Sequence, residues 1–226
     1  MSFREAVLDI FFPPKCAFCG ALLPTGSDGI CADCRKTLPF APEKGEKPEF
    51  TASLTAPLYY DETVRRAVLS CKFGNRPSVC RAFGVLIAEK LREHRDDFDV
   101  ITWVPLSRAR RRKRGYDQAK LIAESVGREL GTRVEPLLRK ERDNPPQSGI
   151  RSPEQRRANV SGMYAVADPA AVKGKSVLLL DDVVTTGATL AECARMLRLA
   201  GAREVHAAAS ARSMVEKEKT HVEVSL

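Results

Sequence analysis

Residues 177–190 read VLLLDDVVTTGATL, and this stretch predicts the architecture around it. Apolar residues followed by Asp181 and Asp182 are typical of a buried strand that ends in two carboxylates, at the edge where open α/β sheets bind ligands. The small hydroxyl residues around Gly187 then lead into a helix, whose free amides and dipole favour a phosphate. Since carboxylates accept hydrogen bonds from vicinal hydroxyls, the stretch predicts a site for a ribose 5-phosphate group.

Two other interpretations of this stretch stay open. Apolar residues before an aspartate also describe the Mg²⁺-binding strand of P-loop NTPases, and Gly174-Lys175-Ser176 resembles the end of a phosphate loop. However, Pro169 stands where that motif requires a glycine, and the triplet precedes a strand instead of opening a helix. The other interpretation is a core strand that ends in two aspartates and binds nothing.

The chain around this stretch alternates between strand-like and helix-like patterns. Strands are predicted at 58–60, 98–104, 133–138, 163–167, 176–180 and 204–210. Helices are predicted at 62–72, 79–93, 119–130 and 189–199. This alternation predicts an α/β domain with a mostly parallel sheet flanked by helices. The predicted organisation is a zinc-binding module at 1–38, a linker at 39–56, the main domain at 57–212 and a polar tail at 213–226.

Four of the seven cysteines form the pattern C-x₂-C-x₁₁-C-x₂-C, namely Cys16, Cys19, Cys31 and Cys34. Two such pairs of thiolates complete a tetrahedral shell for Zn²⁺ that leaves no position for water, so we predict a structural zinc ion. Disulfides are the alternative, and the lack of a recognisable export signal disfavours them. The other cysteines, Cys71, Cys80 and Cys193, show no ligand spacing and are predicted to be buried small hydrophobic residues.

The net charge of +8 arises in the middle of the chain, because residues 105–160 hold 15 basic and 7 acidic residues. The densest part has six cations in seven residues: Arg108, Arg110, Arg111, Arg112, Lys113 and Arg114. Such a run can neutralise several phosphates of a nucleic-acid backbone without reading its sequence. A solvated charged surface with no specific partner is the alternative. Aromatic residues make up only 6%, which does not indicate a base-stacking platform.

Residues 1–12 do not resemble a secretory signal, because they include Glu5 and Asp9 and lack a small-residue cleavage site. No apolar run approaches the ~18 residues of a membrane span. We therefore predict a cytoplasmic protein without a membrane span.

Residues 177–190 resemble the ribose 5-phosphate loop of type I phosphoribosyltransferases, and the whole chain resembles the competence protein F (ComF) family. The stretches that carry this resemblance are the four cysteines, Tyr60 with Lys72 and Phe73, Val104-Pro105-Leu106, Arg114-Gly115-Tyr116-Asp117-Gln118, Gln147 with residues 156–159, and the acidic loop. One departure is Asp117, where the family usually has asparagine. If that side chain contacts an anion, the exchange would weaken the contact.

The resemblance implies a type I phosphoribosyltransferase-like fold that binds 5-phosphoribosyl 1-pyrophosphate (PRPP) with Mg²⁺. Asp181 and Asp182 would be the catalytic pair that holds the ribose hydroxyls, although neighbours in a strand point to opposite faces, so only one is expected to contact the sugar directly. The 5-phosphate would bind at Val183, Thr185, Thr186, Gly187, Ala188 and Thr189. The pyrophosphate would bind at Pro105, Leu106, Ser107 and Arg108. A loop over residues 139–159 would close over the reacting centre through Gln147, Arg156, Arg157 and Asn159.

Two classes of function fit these features. The first is an enzyme that transfers phosphoribosyl to an acceptor, with the leaving pyrophosphate stabilised by Mg²⁺ and by cations drawn from Arg108, Arg114, Arg156 and Arg157. The second is a non-catalytic module of the DNA-uptake machinery, in which the pocket senses PRPP or a nucleotide and the basic run or zinc module contacts single-stranded DNA or an uptake protein. Both classes need the same pocket, and pyrophosphate release distinguishes them.

Overall fold

The computed structural model describes residues 13–42, 46–74, 76–94, 98–142 and 160–214. The predicted loop residues Gln147, Arg156, Arg157 and Asn159 lie outside the described residues, as does most of the predicted polar tail.

The described residues form strands and helices that alternate through most of the chain. The strands are β1 (Leu54–Thr55), β2 (Leu58–Tyr59), β3 (Val100–Trp103), β4 (Leu138–Lys140), β5 (Tyr164–Val166), β6 (Ser176–Val184) and β7 (Glu204–Arg212). The helices are α1 (Ala32–Thr37), α2 (Glu62–Phe73), α3 (Pro77–His94), α4 (Arg108–Arg114), α5 (Gln118–Leu130) and α6 (Ala188–Leu199). A short 3₁₀ turn, Pro169–Ala171, precedes β6.

The main sheet has five strands, in the order β1, β7, β6, β3, with β2 also paired to β7. All of its pairings are parallel, which confirms the predicted α/β class. The strands β4 and β5 form a separate antiparallel pair. Because β6 lies between β3 and β7, its carboxyl end is at the middle of the sheet edge.

Most predicted elements are confirmed within a few residues, and the differences cluster around the site. The strand predicted at 133–138 is wrong: Val134 makes a single bridge to Ile101, and β4 begins only at Leu138. The basic run, predicted without a helix, forms α4 because Ser107 accepts a hydrogen bond from the Arg110 amide at its N-cap. Arginine and lysine are also favourable helix formers.

Helices cover both faces of the sheet, and each face has its own core. On one face α2, α3 and α5 bury residues such as Val68, Phe83 and Ile122. This core also includes Ala17 and Ile30 from the cysteine-rich segment. On the other face α6 packs with β4 and β5. The cysteine-rich segment is therefore packed into the main core.

The cysteines outside the cluster behave in two ways. All three are buried as predicted, and Cys193 lies in the core under α6. Cys71 of α2 and Cys80 of α3 are joined by a disulfide, with their Cα atoms 6.5 Å apart, which corrects the prediction that they act only as small hydrophobic residues. The pairing was missed because it depends on how the two helices pack, and a nine-residue separation carries no ligand or disulfide pattern.

Within the described part of the chain, every helix is too short or too polar to cross a lipid bilayer.

Candidate ligand site and zinc centre

The two acidic residues at the end of β6 face opposite sides of the sheet. Asp181 lines a cleft together with Val160 and the residues from Val183 to Leu190. Asp182 instead lines a small space on the α2 side, and its Oδ2 lies 2.7 Å from Lys72 Nζ. The alternation of side chains along a strand explains this division. Of the two predicted catalytic acids, only Asp181 faces the cleft.

The carboxyl group of Asp181 lies in an environment that opposes its charge. Burial, followed by the like charge of Asp182, raises the pKa of Asp181 to about 8. The backbone amide of Asp182 donates a hydrogen bond of 2.8 Å to Asp181 Oδ1. That bond orients the carboxyl group at the cleft.

The predicted phosphate loop follows β6 directly. Residues 185–187 form a bend, and Gly187 is the N-cap of α6 with φ of 71°. Because glycine has no side chain, it gives the helix no side-chain cap, and the Ala188 amide approaches Thr186 Oγ1 at 3.5 Å. The loop therefore presents hydroxyl groups and amides to an anion.

The turn at 105–108 lies at the same edge of the sheet, after β3. Its start is fixed by the Val104 amide, which donates to the Leu180 carbonyl over 2.8 Å. The buried Asp117 caps α5 and supports this turn, since its Oδ2 accepts from the Leu106 amide at 3.1 Å and its Oδ1 from the Lys120 amide at 3.3 Å. The side chain at 117 thus contacts two amides of the protein, one through each carboxylate oxygen, whereas an asparagine would offer a single acceptor oxygen.

The six cations of the basic run have two different environments. Arg108, Arg110, Arg111, Arg112 and Lys113 are exposed. Arg114 is half-buried: its guanidinium lies 5.3 Å from the centre of the Phe73 ring and donates to Gln118 Oε1 over 2.8 Å. Arg114 therefore differs from the other five in being partly buried and held by Phe73 and Gln118. Arg108 also lines an open cleft with Arg139 of β4 and with Arg142, which follows that strand.

The four predicted zinc ligands converge in space. Their Sγ atoms all lie within 4.8 Å of one another, and those of Cys19 and Cys31 are 3.6 Å apart. A tetrahedron with Zn–S bonds of about 2.3 Å has edges of roughly 3.8 Å, so the cluster fits a zinc ion. Amides support two of the thiolates, since the Cys31 amide donates to Cys16 Sγ and the Cys34 amide to Cys31 Sγ.

The cysteine-rich segment is attached to α3 by polar and aromatic contacts. Arg35 makes a two-pronged ion pair with Glu89, at 2.8 and 3.0 Å, and also pairs with Asp28. The rings of Phe18 and Phe83 meet edge to face with their centres 5.7 Å apart.

Sequence reasoning assigned no chemical role to Lys72, which the structure places against Asp182. In the sequence it stands out only as part of a family motif. Its place as the cation in the last turn of α2 is favourable for the helix dipole, but this signal does not identify a partner 110 positions along the chain.

Comparisons with known proteins agree with both parts of this architecture. Residues 117–224 match the phosphoribosyl transferase domain family, and residues 7–45 match the double zinc ribbon domain family. Competence protein F of Haemophilus influenzae is 25% identical over 219 positions, which cover 86% of this chain and 95% of the relative. DNA utilization protein YhgH of Escherichia coli K12 is 27% identical over 217 positions, covering 85% and 94%. Competence protein ComFC of Streptococcus pneumoniae is 27% identical over 146 positions, covering 65% and 62%.

Among solved structures, the glutamine PRPP amidotransferase of B. subtilis is 27% identical with a TM-score of 0.41, over 58% of this chain and 26% of the other. This chain therefore spans about a quarter of the amidotransferase. An adenine phosphoribosyltransferase of Leishmania tarentolae is 16% identical with a TM-score of 0.38, over 77% and 69%.

The predicted resemblance is confirmed by the relatives and by the two domain families. The predicted fold class is confirmed as well, since the sheet is parallel and the four cysteines lie in the zinc ribbon region. The zinc ribbon and the four-thiolate geometry together support a structural Zn²⁺.

Proposed function

We propose that this chain, a homologue of competence protein F that joins a zinc ribbon to a phosphoribosyl transferase domain, binds PRPP with Mg²⁺ in the cleft at the end of β6. The observation that carries the proposal is the placement of Asp181, the Gly187 loop and the 105–108 turn at one edge of the sheet. A carboxyl group, an anion cradle and a second turn that carries Arg108 match the diol, the 5-phosphate and the pyrophosphate of one ligand.

In this proposal each element has one task. Asp181 accepts hydrogen bonds from the ribose hydroxyls, the loop from Thr185 to Thr189 binds the 5-phosphate, and Arg108 lies beside the pyrophosphate. Mg²⁺ neutralises part of the pyrophosphate charge when the ligand is bound. Its ligands would come mainly from the oxygens of PRPP, since Asp117 and Asp182 are already engaged by protein donors.

The proposed reaction is transfer of the phosphoribosyl group to an acceptor with release of pyrophosphate. The cleft offers electrostatic stabilisation of the leaving group rather than a covalent thiol nucleophile, because Cys193 is fully buried, and burial together with the charge of Asp181 raises its pKa. The same pocket without an acceptor would act as a PRPP sensor, and the names of the relatives, which refer to competence, favour a task for it in DNA uptake. We place either activity in the cytoplasm.

Calorimetry on a matched pair of glycine variants tests the proposal. The wild-type chain should bind PRPP in the presence of Mg²⁺, and Gly187→Ala should weaken binding by about tenfold or more, because a Cβ at φ of 71° lies 3.2 Å from Pro48 Cγ and distorts the loop. Gly174→Ala is the control: its φ is 75°, but no atom lies within 4 Å of the added Cβ, so it should lose stability of about 1 kcal/mol and keep its affinity.

An absence of binding heat for the wild-type chain contradicts the proposed function. Equal affinity in the two variants contradicts the assignment of the loop. Pyrophosphate release with a panel of bases and amines then assigns the chain to the enzymes, whereas binding without release assigns it to the sensors.

A second candidate function, binding to a single-stranded DNA backbone, is favoured by the five exposed cations of α4. Glutamine at positions 110 to 113 in place of Arg110, Arg111, Arg112 and Lys113 should weaken binding and reduce the salt slope by about 0.7 for each phosphate that is no longer neutralised. The control replaces four exposed cations elsewhere, namely Arg65, Arg66, Arg128 and Lys173. An equal decrease in affinity for both variants would show that α4 is only part of a diffuse positive surface.

A further inference from the structure

The end of α2 brings a cation to the far side of the candidate ligand site. Lys72 lies in the last turn of this helix, where the helix dipole favours a positive charge. Its Nζ is 2.7 Å from Asp182 Oδ2, and both side chains are 22% exposed. A pair that is shielded to this degree is screened less by salt than a surface pair and has a more definite geometry.

The segment at 114–118 holds the end of α2 in this place. The Tyr116 hydroxyl donates a hydrogen bond to the Cys71 carbonyl, next to Lys72. Arg114 stacks over the ring of Phe73, on the other side of Lys72, and is itself held by Gln118. The two sequence motifs around Lys72 and Tyr116 are therefore in contact with each other in the fold.

The effect of Lys72 reaches the ligand cleft through the strand. Lys72 holds the side chain of Asp182, and the backbone amide of Asp182 holds Oδ1 of Asp181. Asp182 therefore connects the helix end to the carboxyl group that faces the cleft. A substitution of Lys72 therefore changes the position of the Asp182 side chain without changing a residue that lines the cleft.

We propose that Lys72 is a positioning residue that, through Asp182, sets the orientation and charge of Asp181 for the ribose hydroxyls of the ligand. This proposal rests on the proposed function, because it assigns a task to a residue behind the same site.

Charged and titratable groups reach Asp181 from every element around it. Asp182 follows it in β6, Asp117 lies at the start of α5 and Lys72 at the end of α2. Tyr164 of β5 and Cys193 of α6 face it as well, and burial raises the pKa of both, so they remain neutral. Lys72 is the cation that acts on Asp181 in this set, and its charge lowers the pKa of Asp181 against burial and the two aspartates, which raise it. Two further cations lie near the other neighbours: Lys140 of β4 has its Nζ 5.2 Å from the centre of the Tyr164 ring and acts on Cys193, and Arg110 of α4 acts on Tyr164.

Substitution of Lys72 tests the proposal by calorimetry with PRPP and Mg²⁺ at several pH values around 8. Lys72→Met should weaken binding about tenfold and move the midpoint of the affinity against pH curve upward. Lys72→Arg, which keeps the charge, should restore most of the affinity and the wild-type midpoint. The control is Lys90→Met on α3, which removes a similarly exposed lysine paired with Glu93 at 2.9 Å and should leave both quantities unchanged.

Tyr116→Phe removes only the hydroxyl that holds the Cys71 carbonyl. It should weaken binding in the same direction but less, by about threefold, and its effect should not add to that of Lys72→Met, because both act through one set of contacts. Full additivity contradicts the link between the two motifs.

A measurement without ligand separates this proposal from the proposed function. Titration of the Asp181 carboxyl group by carbon-13 NMR should show a higher midpoint in Lys72→Met than in the wild type, and the Arg variant should resemble the wild type. If the wild-type chain binds no PRPP, the proposed function fails while this titration still tests the effect of Lys72 on Asp181. An unchanged Asp181 midpoint, or wild-type affinity in Lys72→Met, overturns the inference.

Discussion

Replacing Asp181 by asparagine should raise the melting temperature of the chain at pH 8 and at the same time abolish PRPP binding. Burial and the charge of Asp182 raise the pKa of Asp181 to about 8, from a value of 3.8 without these effects. Between these pH values the folded chain holds a proton that the unfolded chain does not. Folding stability of the wild type therefore falls as the pH rises from about 4 to 8.

The asparagine variant escapes this loss because its side chain is neutral at every pH, and its Oδ1 can still accept the amide of Asp182. Because Asp181 is partly exposed, we expect a gain of only ~1–2 kcal/mol, which is roughly 2–8 °C for a chain of this length. Binding should be lost because the amide cannot ionise, whereas the Asp181 carboxyl group, with a pKa of about 8, can become the carboxylate that accepts strongly from two hydroxyl groups. Stability given up for a charged group is common at ligand sites.

Differential scanning calorimetry at pH 6 and pH 8 checks this prediction, and the gain should be smaller at pH 6. Asp182→Asn is the matched variant: it loses the ion pair with Lys72 and should be less stable than the wild type at both pH values. A lower melting temperature for Asp181→Asn than for the wild type at pH 8 would contradict the prediction, because it would mean that the charge of Asp181 does not destabilise the folded chain.

Removal of the zinc ion should destabilise the whole chain, and not only the segment that binds it. Ala17 and Ile30 lie in the same core as α2, α3 and α5, and Phe18 packs on Phe83 of α3. The segment is too short to hold this arrangement without its metal. Loss of the metal therefore exposes part of the main core, at an expected cost of about 3 kcal/mol or more.

Elemental analysis and thermal unfolding of a variant with both Cys19→Ser and Cys31→Ser check this prediction. We expect this variant to hold less than one zinc ion per chain and to have a lower melting temperature than the wild type. Cys193→Ala is the control, because it removes a cysteine that lies outside the cluster and should keep the metal. Hydrogen exchange should also become faster in α3, where the segment docks. Protection of α3 that does not depend on zinc would show that the two parts are energetically separate.

Periodicity and spacing are local properties of a chain, and the features that depend on them could be predicted. The apolar run before Asp181 predicted β6, which extends to Val184 because pairing with β7 continues through the acidic residues. The four cysteines predicted the metal cluster, since two short turns suffice to bring each pair together. The strand predicted at 133–138 was wrong because its alternating apolar residues do not pair along β3. In the described residues this segment makes a single bridge to β3, between Val134 and Ile101.

The acidic pair shows where local reasoning stops. The alternation of a strand predicted that one aspartate would contact the sugar, but only the packing of α2 against the sheet determines that Asp181 faces the cleft while Asp182 faces Lys72. The role of Asp117 was likewise open until the turn after β3 was seen to need an acceptor for the Leu106 amide.

The amino-acid sequence by itself therefore determined the α/β class, the four-cysteine cluster and the loop that joins β6 to α6, because each depends on neighbouring residues whose geometry follows from one turn or one strand. The tertiary structure alone decided the Lys72–Asp182 pair, the Cys71–Cys80 disulfide and the separation of Arg114 from the other cations. These contacts join residues from separate helices and strands. The physical reason is that the burial of apolar faces determines how those elements pack, and the sequence around a polar residue does not show which distant residue that packing will bring to it.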